Sequence, residues 1–165
     1  ILAEQQALLH ENQIKLLFYG DLSRLQKKNQ MIIRDVMDKT SENKGLKLNI
    51  ALHYSGRWHM TRVVQEMAAA VKDGLVQPES IDQDSVAQWH SKGSWSDPDL
   101  LIRTGYEQRI SNFMLWHLAY TEFYFPECFW PDFTRETFDE AIRVFGTRQR
   151  RYGLHPSQLE NKESA

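Results

Sequence analysis

The sequence predicts an α/β fold, a mostly parallel sheet with helices on both faces, and three observations carry that prediction. The compact apolar run at 14–19 reads as a buried strand, and those at 46–52 and 100–102 read as further strands. The stretches between them are longer, and their apolar residues recur at helical spacing. Turn formers mark the boundaries, notably Gly20-Asp21, Gly45, Gly74 and Pro78.

The chain opens at Ile1, without methionine, inside an amphipathic stretch with Ile1, Leu2, Leu8 and Leu9 among polar residues. That opening leads us to expect a part of the protein upstream. The first strand follows, and then Ser23 is placed to cap a helix with Leu25, Met31, Ile32, Val36 and Met37 on one face. After the second strand comes His53-Tyr-Ser-Gly-Arg57, leading into a helix with Val63, Val64, Met67, Ala68 and Val71. Ligands of open α/β sheets bind at that strand edge. Arg57 is therefore either a phosphate contact or a surface arginine in an ion pair.

Residues 80–90 read as a short helix packing through Ile81, Val86 and Trp89, and 92–98 as a polar loop delivering the chain into the third strand. A fourth strand is expected at 122–125, followed by the aromatic segment 128–133. Thr134 caps a long helix, 137 to about 152, with Phe138, Ile142 and Phe145 on one face and Arg148, Arg150 and Arg151 in its last turn. Residues 1–153 make one domain's worth of chain, and 154–165 read as a polar, frayed tail.

Composition narrows the function. A formal net charge of −2 over 165 residues gives no bulk support for nucleic acid as a partner, so any basic site is local. The single cysteine, Cys128, excludes an intrachain disulfide and fits a reducing compartment, so a cytoplasmic location is expected. No window approaches the roughly 18 apolar residues of a membrane span, which favours a soluble protein. The histidines lack a zinc-binding pattern, and no Walker loop, dinucleotide fingerprint or nucleophile elbow occurs.

What remains is the stretch from Asp99 to Glu122. A strand leads into a loop with Arg103 and Arg109, then to Ser111 as the N-cap of an apolar helical run ending near Glu122. Two guanidiniums, a hydroxyl and helix-start amides would favour an anion, and diphosphate is the natural ligand. On spacing alone, Arg109 could equally pair with Glu107. Trp116, Tyr120, Phe123 and Phe125 read as core. Glu122 should be partly buried, with its charge compensated either by a metal ion or by a nearby arginine.

Leu100-Leu-Ile-Arg-Thr-Gly-Tyr-Glu-Gln-Arg-Ile-Ser-Asn-Phe-Met-Leu-Trp-His-Leu-Ala-Tyr-Thr-Glu-Phe-Tyr-Phe125, with Trp130-Pro-Asp-Phe133 and Arg150-Arg-Tyr-Gly153, closely resembles the C-terminal signature of cis-prenyltransferases of the undecaprenyl diphosphate synthase type. Asn49-Ile-Ala-Leu-His-Tyr-Ser-Gly-Arg57 is similar to an earlier motif of that family, and the match runs from about residue 12 to 153. The resemblance implies an undecaprenyl diphosphate synthase-like fold and a transferase that condenses isopentenyl diphosphate onto an allylic diphosphate with cis geometry. It implies Mg2+ as cofactor, a homodimer, and a polyprenyl lipid carrier for cell-wall synthesis as product. The product would be membrane-bound, while the protein stays soluble, in the cytoplasm or at the membrane periphery. By position, Arg103, Arg109 and Ser111 would hold isopentenyl diphosphate, Arg151 and Gly153 would approach the phosphates, and Glu122 would bind magnesium.

Departures and absences qualify the match. Tyr106 stands where the family usually has glycine, and a bulky residue there costs roughly 1–2 kcal/mol if the position requires positive φ. His53 and Ser55 replace the usual Asn and Gly. The family's Asp-Gly-Asn strand, its phosphate loop and its Ser-Thr-Glu-Asn segment are absent, so no catalytic residue is assigned within this chain. Residues 1–153 are thus expected to be the C-terminal portion of one domain, and the isolated chain is expected to be inactive. Two rivals are a non-catalytic partner subunit of a heteromeric prenyltransferase and a generic phosphate-binding α/β module.

Overall fold

The computed structural model describes residues 6–92 and 96–148. The chain divides into two compact units, Ile1–Arg62 and Val63–Ala165. The α/β expectation holds in each. Among the described residues the four strands form two parallel pairs.

In the first unit α1 (Gln6–Glu11) precedes β1 (Lys15–Tyr19), α2 (Lys27–Lys39) and β2 (Lys47–Ala51). β1 pairs with β2 in register from Lys15↔Lys47 to Tyr19↔Ala51. The two-residue period of a strand puts Leu16 and Phe18 on one face, and both are buried. Leu9, Ile33 and Val36 complete that core, with Ile14, Leu22, Leu25, Ile32, Met37, Ile50 and Leu52 packed around it. The helical spacing of Ile33, Val36, Met37 and Thr40 explains how α2 reaches β1, whereas Met31 faces away and is 69% exposed. Thr40, which ends α2, ties the two elements together. Its buried hydroxyl donates to the Val36 carbonyl (2.9 Å) and accepts the Leu16 N–H (3.1 Å). Satisfying a buried amide in this way avoids a penalty of about 1–3 kcal/mol.

Ser23 does not cap α2. It lies in a 3₁₀ turn (Leu22–Arg24) and donates to Asp21 Oδ1 at 2.5 Å, and α2 starts after Gln26. The short Ser-to-Asp bond competes with helix capping, as these side chains commonly do.

α3 (Gly56–Lys72) spans the division between the units. In the second unit, a 3₁₀ turn (Pro78–Ser80) leads to α4 (Gln83–Ser91). α4 begins three residues later than expected because Asp82 and Ser85 form a reciprocal capping box. The Ser85 backbone N–H holds the exposed Asp82 carboxyl below the usual carboxylate range. β3 (Leu100–Ile102) pairs with β4 (Glu122–Tyr124), Leu100↔Glu122 through Ile102↔Tyr124. A 3₁₀ turn (Trp130–Asp132) precedes α5 (Arg135–Gly146), where the Thr134 hydroxyl accepts the Thr137 N–H as expected. α5 stops at Gly146, short of 152, and places Arg148 beyond its end. Phe138 and Ile142 on α5 remain half-exposed.

Candidate active site

The site begins where β3 ends. The Arg103 N–H donates to the Tyr124 carbonyl at 3.0 Å, extending the β3–β4 ladder by one rung and fixing the arginine's backbone. Its Nε is buried and has no hydrogen-bond partner among the described residues. Leaving a buried guanidinium donor unsatisfied is costly unless a ligand completes it. The following loop turns through Gly105 (φ +86°), whose N–H donates to the Cys128 carbonyl at 2.7 Å.

Tyr106 does adopt positive φ, +57°, so the strain anticipated for a bulky residue there is present. The Phe129 ring meets the Tyr106 ring edge-to-face with centroids 5.1 Å apart, which offsets part of it. Arg109 is 71% exposed and pairs with Glu107 at 2.5 Å.

Ser111 is not a helix N-cap. It takes φ +46°, Asn112 takes +64° and Met114 +43°, and these left-handed residues exclude a regular helix. Residues 111–120 instead form successive turns, with Phe113 N–H to Ile110 O (3.0 Å), His117 N–H to Met114 O (2.9 Å) and Leu118 N–H to Met114 O (3.1 Å). The amphipathic pattern that suggests a helix has a different cause. Leu118 and His117 turn inward, and Trp116 is partly buried, while Tyr120 is 66% exposed and so is not core.

Left-handed residues persist only where the surroundings over-determine them, and here the anchors are polar. His117, 2% exposed, hydrogen-bonds through Nδ1 to Asp97 Oδ1 at 2.6 Å. The Trp116 ring stacks on His90 at 5.5 Å. The Thr121 hydroxyl donates to the Pro98 carbonyl at 2.7 Å. Sequence reasoning missed Asp97, His117 and Thr121. An aspartate twenty residues before a histidine carries no spacing signal, and only a buried polar residue inside an apolar run hinted at them.

Glu122 opens β4, and its N–H donates to the Asp99 carbonyl at 3.0 Å. The side chain is 25% exposed, the partial burial anticipated, and Oε2 accepts from Arg148 Nη1 at 2.9 Å. The same Nη1 donates to the Phe123 carbonyl at 2.7 Å. The arginine alternative for Glu122 is therefore the one formed here. Because Leu100 lies opposite Glu122, the backbone levels of Glu122 and Arg103 are three residues apart, about 10 Å along the ladder at ~3.3 Å per residue. Among the described residues no hydrogen bond or ion pair joins any two of Arg103, Arg109, Ser111 and Glu122.

No group of three His, Cys, Asp or Glu side chains among the described residues could hold a metal ion. Magnesium commonly uses only one or two carboxylates, with phosphate oxygens and water as its other ligands. A single carboxylate such as Glu122 would suffice for a site of that kind. Arg151 and Gly153 lie outside the described residues.

The loop after β2 is independently braced. His53 is left-handed (φ +48°), a conformation that Asn and His tolerate better than most residues, and its carbonyl accepts the Asp21 N–H at 3.4 Å. Tyr54 bonds through its hydroxyl to His59 Nδ1 at 3.1 Å, and burial pushes the phenol up to about 12. Ser55 supplies a cap that glycine could not, accepting the Trp58 N–H on Oγ at 3.4 Å. Arg57, in the first turn of α3, is exposed.

Solved structures identify this architecture as that of prenyl diphosphate synthases. The structure of lavandulyl diphosphate synthase from Lavandula x intermedia, in complex with dimethylallyl diphosphate, matches with a TM-score of 0.86 at 33% identity, covering 92% of this chain and 65% of that one. A probable undecaprenyl diphosphate synthase from Campylobacter jejuni gives a TM-score of 0.79 at 31% identity, over 92% and 69% of the two chains.

The chain belongs to the family described as "Putative undecaprenyl diphosphate synthase", which matches residues 1–153. Ditrans,polycis-undecaprenyl-diphosphate synthase ((2E,6E)-farnesyl-diphosphate specific) of Coxiella burnetii is 47% identical over 152 residues, 92% of this chain and 64% of that protein. An isoprenyl transferase of Chlorobaculum tepidum is 42% identical over 163 residues, 99% of this chain and 62% of that protein. The chain thus spans less than two thirds of the length of these two relatives. No helix among the described residues is long and apolar enough to cross a membrane.

Proposed function

We propose that the protein is a cis-prenyltransferase that adds isopentenyl diphosphate units to an allylic diphosphate, making a long polyprenyl diphosphate that serves as lipid carrier for cell-wall synthesis. The observation that carries this reading is Arg103, whose Nε is buried without a hydrogen-bond partner at the end of β3. A donor kept in that state is preorganised for an anion. The Coxiella relative, 47% identical, is named for a farnesyl diphosphate-specific synthase, and that name supports the substrate class.

In the reaction, the bond between the allylic carbon and the diphosphate oxygen breaks and the electron pair leaves with diphosphate. The terminal alkene carbon of isopentenyl diphosphate forms the new carbon–carbon bond, which leaves positive charge on its methyl-bearing carbon, and loss of a proton from the methylene on the diphosphate side of that carbon forms the new double bond. Arg103 and Arg109 hold the isopentenyl diphosphate with the Ser111 hydroxyl, and Arg151 and Gly153 are assigned to phosphate binding by their resemblance to the family's C-terminal motif. Arg109, itself exposed, must then exchange its partly buried Glu107 partner for phosphate, a cheap exchange because ion pairs at the surface contribute little. Glu122 would hold Mg2+ in part, and the ion would supply charge neutralisation to the departing diphosphate. The protein works as a homodimer in the cytoplasm or at the membrane periphery, where its product resides.

Arg109→Ala in the complete protein tests the substrate side of this assignment. Losing one charge-assisted contact should lower kcat/KM for isopentenyl diphosphate about 10- to 100-fold, with the thermal midpoint unchanged. Steady-state incorporation of labelled isopentenyl diphosphate measures it, and unchanged kinetics would remove Arg109 from the site.

A further inference from the structure

Glu122 and Arg148 form a unit that the proposed reaction does not explain. The Glu122 side chain is 25% exposed at the start of β4, and in the metal-free protein its charge is compensated by a counter-ion. Arg148 supplies it from just beyond α5, through the Nη1 that bridges Glu122 Oε2 (2.9 Å) and the Phe123 carbonyl (2.7 Å). A magnesium ion would have to sit about 2.1 Å from a Glu122 oxygen. A guanidinium on that carboxylate competes for its lone pairs and repels a second cation beside it.

We propose that Arg148 is the counter-ion of Glu122 in the metal-free protein and gives up the carboxylate when the divalent cation and diphosphate bind. This rests on the assignment of Glu122 as a metal ligand. The bond to the Phe123 carbonyl gives the exchange its geometry. It tethers the guanidinium to the β4 backbone independently of Glu122, so Arg148 can release the carboxylate without leaving its place beside the strand. Arg148 is thus a positioning residue that sets metal affinity, and it makes metal loading compete with an internal ion pair.

The test measures metal binding directly, by titrating the complete protein with Mn2+ in an EPR experiment, with inorganic diphosphate present, for wild type, Arg148→Gln and Glu122→Gln. Arg148→Gln should bind Mn2+ about two- to five-fold more tightly, the scale of one partly exposed ion pair removed. It should also lower the thermal midpoint of the metal-free protein more than that of the Mg2+-loaded protein. A purely structural role would lower both midpoints equally and leave metal affinity unchanged. Unchanged or weaker Mn2+ binding in Arg148→Gln, with weakened binding in Glu122→Gln, would overturn the counter-ion role alone. Unchanged binding in Glu122→Gln would overturn the metal assignment, and the counter-ion proposal with it.

Discussion

Arg103→Ala should reduce isopentenyl transfer by about 100- to 1000-fold, the effect of removing one preorganised donor from a site where charge develops. Of the two loop arginines, Arg103 carries the larger expected effect because its surroundings are already arranged. Its backbone is locked into the β3–β4 ladder through Tyr124, and its Nε is buried with no partner among the described residues. Arg109, by contrast, is 71% exposed and already satisfied by Glu107. A buried donor awaiting a ligand weakens the free fold, so alanine at 103 should leave the thermal midpoint unchanged or raise it. Kinetics and thermal unfolding of the same variant check both halves. A falling midpoint with activity retained would show Arg103 to be a structural residue.

Gly20→Ala should destabilise the protein by about 3 kcal/mol or more, combining left-handed strain with overpacking. Gly20 sits at φ +112° just beyond β1, and a Cβ there would lie 1.9 Å from the Leu52 carbonyl oxygen and 2.9 Å from its carbon. Both obstacles are backbone atoms of the neighbouring strand's exit, so neither can swing aside as a flexible side chain would. The displaced segment is the one that leads through His53 to Arg57. Gly74, with φ +72° and nothing within 4 Å of its missing Cβ, is the control, and alanine there should cost only about 1 kcal/mol. Urea unfolding of the two variants separates close approach from conformational strain, and equal losses would show that the Leu52 contact does not matter.

The strands were legible because each is a short apolar run closed by a turn, and β1 to β4 lie within two residues of their expected bounds. The last helix was legible through Thr134 and its apolar spacing, although its end at Gly146 was not, since the basic residues beyond it prolong the helical pattern. The 111–122 segment misled for a physical reason. Its apolar residues recur as a helix would place them, yet the backbone takes left-handed turns at Ser111, Asn112 and Met114, and propensity cannot show that a buried His117–Asp97 bond and the Thr121–Pro98 bond brace this path. Arg103, Arg109 and Glu122 stood out in the sequence as charged groups bordering apolar runs. The partner of Glu122 did not, because Arg148 reaches it from 26 residues away.

Transfer of isopentenyl units with cis geometry is the activity proposed for this family member. Incubating the complete protein with labelled isopentenyl diphosphate, an allylic diphosphate starter and Mg2+, then determining the length and double-bond geometry of the product, tests it most directly. The expected product is a long polyprenyl diphosphate whose newly added units are cis. Folded protein that yields no elongated product, or one whose added units are trans, would contradict it.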